Sequence, residues 1–151
     1  MNDVEKFLAH AVRLEGEAAR RYEELAAAMS TDGNRELQLF FGRMAHYSRL
    51  HLVEASSRAG FRDLPPLQAD EFEWPEGTSP ETADWVGVDS LMSPRAALEL
   101  ALDGERRGHA YYATIAATTG DSELRMIAGR FADEEAEHVR ELEKLLVACA
   151  A

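Results

Sequence analysis

Residues 8–25, LAHAVRLEGEAARRYEEL, and residues 98–115, LELALDGERRGHAYYATI, decide how this chain folds. Laid side by side, Leu8, Ala11, Glu15, Ala18, Tyr22 and Leu25 fall opposite Leu98, Ala101, Glu105, Gly108, Tyr112 and Ile115, each 90 positions later. Steps of three and four residues put all six on one face of a helix. That face is apolar except at its centre, where both copies carry a glutamate. An ionised carboxylate buried alone costs on the order of several kcal/mol, so each glutamate must be paired, protonated or metal-bound. The small residues Ala11, Ala18, Ala101 and Gly108 leave room beside them. Tyr22 and Tyr112 lie two turns further on, where each hydroxyl reaches for a carboxylate on a facing helix.

A second pair of segments repeats with an offset of 87. Leu37, Phe40, Met44, Ser48 and His51 align with Leu124, Ile127, Phe131, Glu135 and His138. Glu135-Ala136-Glu137-His138 is an E-x-x-H step, and residues three apart on a helix are neighbours able to hold one ion. Carboxylate oxygens with one imidazole suit iron or manganese, with zinc as a further alternative.

Around these stripes the chain divides into four helical stretches. The first runs from about Asp3 to Met29, capped by Asn2 or Asp3, and Ser30-Thr31-Asp32-Gly33-Asn34 is turn chemistry. The second runs from Arg35 to Ala59, with Gly60 as its C-terminal cap. Ser93-Pro94 opens the third, which reaches about Thr118, and the turn Thr119-Gly120-Asp121 leads into the fourth, ending near 148. Between them, Phe61 to Met92 holds every proline except Pro94 and both tryptophans, without a sustained period. Short, long, short is the connection pattern of a bundle whose third helix runs in the same direction as its second. The expected fold is therefore all-α. A single domain over residues 1–151 forms a four-helix bundle of two hairpins, about 3–60 and 93–148, joined by a crossover over 61–92. Phe72, Trp74, Trp85 and Leu91 are expected to pin that crossover to the bundle.

Composition narrows the function. With 46% hydrophobic and 29% charged residues the chain is globular, and a net charge of -12 repels nucleic acid and anionic membranes. No apolar run approaches the roughly 20 residues of a membrane helix. The acidic start, Met1 to Glu5, lacks the basic region of a signal peptide, so a cytoplasmic protein is expected. The single cysteine, Cys149, excludes an internal disulfide or a C-x-x-C knuckle, and reads as an ordinary residue of the tail.

The stretches Glu15 to Tyr22, Glu105 to Tyr112 and Phe131 to His138, in this order, resemble the rubrerythrin branch of the ferritin-like di-iron superfamily. The resemblance spans all four helices and leaves the crossover unmatched. It implies a non-haem di-iron (or other di-metal) oxidoreductase that reduces peroxide or oxidises Fe(II). Glu15 and Glu105 would be flanking ligands, Glu135 a bridging carboxylate, and His51 and His138 one imidazole per metal. Tyr22 and Tyr112 would bond to the ligands. The resemblance also implies a homodimer. Rubrerythrins usually carry a rubredoxin-like domain with paired cysteines, which this sequence lacks, so an external electron donor is expected.

One position departs from the family pattern. Ser48 stands where the second helix should bring a bridging glutamate. Glu54, one turn beyond His51, and His109, four after Glu105, are the candidate substitutes, while His46 points elsewhere. If nothing compensates, the alternative is a metal carrier or storage subunit with an incomplete site, a lone ion sitting on the Glu135–His138 side. A third reading keeps the bundle only as an interaction module. His10 and His46 are expected at the surface, and Arg20, Arg21, Arg106 and Arg107 on a solvated face.

Overall fold

A computed structural model describes residues 3–58, 67–68, 71–74 and 89–150. They form four α-helices and, among the described residues, no strand: α1 (Val4–Asp32), α2 (Arg35–Arg58), α3 (Pro94–Thr118) and α4 (Ser122–Ala150). Each start has the expected chemistry. Asp3 accepts from the Lys6 N–H, Asn34 from Leu37, Ser93 from Ala96 and Asp121 from Leu124, each occupying donors that the first turn cannot satisfy internally. α1 outlasts its expected end at Met29. Ser30 and Thr31 stay helical, the Thr31 hydroxyl donating to the Ala27 carbonyl, and the chain turns only at Gly33, whose φ of 80° is left-handed. The N–H groups of Gly33 and Asn34 close back on Ser30 and Met29. Gly60 and Trp85 lie outside the described residues, as does Asn2.

The buried side chains fall into two clusters, one at each end of the bundle. Leu25, Met29, Phe40, Phe41, Leu98, Ala101 and Leu142 belong to one, and Phe7, Leu8, Leu14, Tyr112, Leu124 and Phe131 to the other. Following each helix from one cluster to the other gives its direction. α1 and α4 run one way, α2 and α3 the other, so the third helix does run parallel to the second. Most helix–helix packing lies within the pairs α1–α2 and α3–α4. Between the clusters each helix contributes the polar members of its stripe: Glu15, Ser48 with His51, Glu105, and Glu135 with His138.

Three expectations about the outer faces are corrected. His10 is fully buried rather than at the surface. Its Nδ1 donates to the Lys6 carbonyl at 2.8 Å and its Nε2 accepts from the Glu73 N–H at 2.8 Å, so the ring is neutral. Burial lowers its basicity further. Phe72 and Trp74 meet the His10 ring edge-on at 4.9 and 4.8 Å, and Lys6 pairs with Glu73 at 3.2 Å. These residues do fasten the crossover to α1, whereas Leu91 is 81% exposed and fastens nothing. Arg21 is also fully buried, unlike exposed Arg20 and Arg106, and Arg107 is half-buried. The Arg21 guanidinium lies against α3 at Gly104, where a Cβ would overlap it. Lack of a side chain at 104 is what lets a long cation into the interior.

Replacing His10 by Ala removes the acceptor of a crossover N–H and leaves a void among three aromatic rings. We expect a loss of about 2–4 kcal/mol in urea unfolding. In a Trp85→Phe background, emission from Trp74 should shift red; unchanged emission would show that His10 does not hold the crossover.

Candidate metal centre

The waist of the bundle concentrates charge where the stripe reading placed it. Glu15, Glu105 and Glu135 are 1%, 2% and 3% exposed, and His51 is 9% exposed. One ligand atom each from Glu15, His51 and Glu135 lie within 4.8 Å of one another, and so do those of Glu105, Glu135 and His138. Glu135 belongs to both groups, and all five residues expected as ligands are brought together. His51 Nδ1 faces Glu15 Oε1 at 3.5 Å and His138 Nδ1 faces Glu105 Oε2 at 3.6 Å. The two imidazoles stack 6.0 Å apart, nearly parallel.

The tyrosines cross between the hairpins as expected. Tyr22 of α1 donates to Glu105 Oε1 on α3, and Tyr112 of α3 donates to Glu15 Oε1 on α1 at 3.1 Å. In Glu105 the phenol ties Oε1 and Oε2 faces His138, whereas in Glu15 the same Oε1 meets both Tyr112 and His51. Burial and then the nearby Glu15 and Glu135 charges push the Tyr112 phenol well up, so it remains a donor.

Both imidazoles of the site are shifted toward their protonated form. Burial would lower His51, but Glu15 beside it and the charges of Glu134 and Glu105 raise it to about 9. His138 is raised as well, burial being outweighed chiefly by Glu105. Burial would raise the Glu105 carboxyl, but Glu135, His138 and Tyr22 around it pull it down to about 2. His51 Nδ1, His138 Nδ1 and Glu105 Oε2 are buried with no hydrogen-bond partner. Buried polar atoms left this way ask for a ligand. Three carboxylates and two imidazoles, with no thiolate, form a donor set for iron, manganese or zinc. The residues present fit a pair of divalent ions.

Neither candidate substitute for Ser48 joins the site. Glu54 is held by Arg58 and, from α4, by Arg130 at 3.2 and 3.0 Å. His109 directs its Nδ1 to the Ala132 carbonyl at 2.9 Å. Ser48 itself is buried beside the centre, and His46 is exposed as expected. Two residues that the sequence reading passed over do reach the site. Glu134 Oε2 lies 2.7 Å from His51 Nε2, and Tyr47 stacks on His138 at 5.9 Å. Their signal in the sequence is that each directly precedes a position of the 87-residue repeat.

No model of a protein family matches the chain, and no curated protein does either. Among solved structures, the chain is similar to COG1633, an uncharacterised conserved protein from Magnetospirillum magnetotacticum MS-1. The two are 38% identical with a TM-score of 0.80, over 97% of this chain and 95% of that one. The chain belongs to the COG1633 family. The likeness extends over nearly the whole length of both chains. The chemistry of this COG1633 member rests on its own buried carboxylates and histidines.

Those protonation states set a pH dependence. In the metal-free protein His51, raised from 6.5 to about 9, stabilises the fold fully below pH 6.5 and loses that contribution as pH climbs through about 9. Glu105, lowered from 4.5 to about 2, contributes above pH 4.5 and loses it as pH falls through about 2. The metal-free Tm should therefore peak between about pH 4.5 and 6.5 and decline toward pH 9. Divalent metal competes for the same imidazoles, so its affinity should rise over pH 6.5–9 with protons released on binding. Calorimetry at pH 7.5 in buffers of different ionisation enthalpy counts those protons, and a count of zero would contradict the cationic histidines.

Proposed function

We propose that this chain is a rubrerythrin-like di-metal oxidoreductase, with iron as its metal, that reduces peroxide or oxidises Fe(II). The observation that carries the reading is that Glu135 belongs to both ligand groups. A carboxylate shared by two otherwise separate sets of donors is what a two-ion centre needs and what a single-ion site does not. Bound iron would supply the one-electron steps that no side chain here can provide.

The chain's own residues would do the rest. Glu15 with His51, and Glu105 with His138, hold the two flanks, while Glu135 joins them. Tyr22 and Tyr112 each tie one oxygen of the flanking glutamate on the other hairpin and so steady that carboxylate. The apolar clusters on either side keep bulk water from the ends of the layer. Cys149 is single and exposed at the tail, so electrons come from an external donor. No described helix is long and apolar enough to cross a membrane. A cytoplasmic homodimer completes this reading.

Ser48 favours a second reading. Three carboxylates balance only part of the charge of two divalent ions, and neither Glu54 nor His109 supplies a fourth. A carrier or storage subunit with little turnover follows if one position binds weakly.

Anaerobic Fe(II) loading, desalting and elemental analysis separate the two. We expect about two irons per chain, an oxo-bridged ferric absorption on exposure to air and consumption of peroxide above that of free iron. Glu135→Ala should lose both ions and that consumption. Unchanged peroxide consumption in the variant would rule this centre out, and one iron per chain without turnover would favour the carrier.

A further inference from the structure

The residue that precedes the shared position does a different job on each helix. The offset of 87 that aligns Glu135 with Ser48 and His138 with His51 also aligns Glu134 with Tyr47. Across the seam between α2 and α4, each of these two reaches the histidine of the opposite helix. Glu134 of α4 places Oε2 at 2.7 Å from His51 Nε2 on α2. Tyr47 of α2 lies over the His138 ring of α4, with centroids 5.9 Å apart and planes 20° from parallel. A near-symmetric frame therefore sets a carboxylate behind one imidazole and a neutral phenol over the other.

The direction of the His51 ring gives this asymmetry its meaning. Nδ1 faces Glu15 Oε1 and is buried without a hydrogen-bond partner, so it is the nitrogen offered to the centre. Glu134 Oε2 lies 2.7 Å behind Nε2, and its charge at that distance favours the proton on Nε2. A carboxylate this close behind the ring favours one tautomer and makes the ligating nitrogen more basic. His138 offers Nδ1 to the centre in the same sense, 3.6 Å from Glu105 Oε2, but its outer face meets an aromatic ring.

Resting on the two-ion reading, we infer that Glu134 is a positioning residue that makes the two ion positions unequal. The position formed by Glu15, His51 and Glu135 fills first, and that formed by Glu105, His138 and Glu135 fills second. This reverses the order expected from the E-x-x-H step, which favours the Glu135–His138 side. Glu134 touches no reacting atom; it acts through His51.

Co(II) titration of the full chain, followed by its visible bands and by competition with a chelator, tests the inference without reference to turnover. The wild type should bind in two steps, the first at least about tenfold tighter. Glu134→Ala should weaken the first step by about 10- to 100-fold and leave the second within about threefold. Glu134→Gln, which keeps an acceptor oxygen, should recover part of the loss, and Tyr47→Phe should change neither step. In a His51→Ala background, Glu134→Ala should have no further effect on the remaining step, a result that a general loss of structure would not give. Equal weakening of both steps, or none, would overturn the inference while leaving two ions bound. A wild-type chain that takes up no Co(II) would overturn the two-ion reading together with it.

Discussion

Three carboxylates and two imidazoles share the interior of a bundle only about two dozen residues long in each helix, and the rest of the molecule is arranged around that cost. Isolated buried charges are prohibitive, and even well-made buried pairs barely repay their desolvation. The chain meets this by bringing opposite charges together in one layer. Raised histidines face lowered or phenol-bonded glutamates, so the layer balances part of its own charge. Two apolar clusters then flank the layer and supply the burial that a polar waist cannot. The same logic recurs on a smaller scale at His10, which stays neutral because both of its nitrogens are occupied by backbone groups.

The parts legible in the sequence are those that depend on a helix's own periodicity. The stripe through Glu15 and Tyr22, repeated through Glu105 and Tyr112, gives the buried faces, the pairing of each phenol with the opposite glutamate, and the five residues of the centre. Ser93-Pro94 and Asp121 mark helix starts by local chemistry alone. What escaped depends on partners that periodicity does not reveal. Glu54 lies on the right face, but Arg130 of another helix claims it. His109 follows Glu105 by four, but its Nδ1 is engaged by the Ala132 carbonyl of another helix. His10 is buried by Glu73, 63 residues away in a stretch without a pattern. Arg21 is admitted by the absence of a Cβ at Gly104, where a stripe reading sees only a small residue.

Glu134 belongs to an intermediate class. Taken with Asp133 and Glu137 it looks like part of a solvated acidic face, and it is in fact partly exposed. Its role shows only when the two halves of the repeat are compared for what differs rather than for what matches. Ser48 for Glu135, and Tyr47 for Glu134, are adjacent departures on one helix. Together they remove negative charge from the α2 side of the centre and leave α4 as its acidic wall.

The ligand groups also divide unevenly between the hairpins. Glu105, Glu135 and His138 all come from α3 and α4, whereas Glu15 and His51 of the first hairpin must borrow Glu135 from the second. Since most packing is internal to each hairpin, an ion in the first group would clasp the two halves at the waist, between the apolar clusters they share. An ion in the second group would stiffen one half alone. Occupancy would thus be a mechanical variable: one ion would set how firmly the halves are latched, and the other how rigid one of them is before they meet.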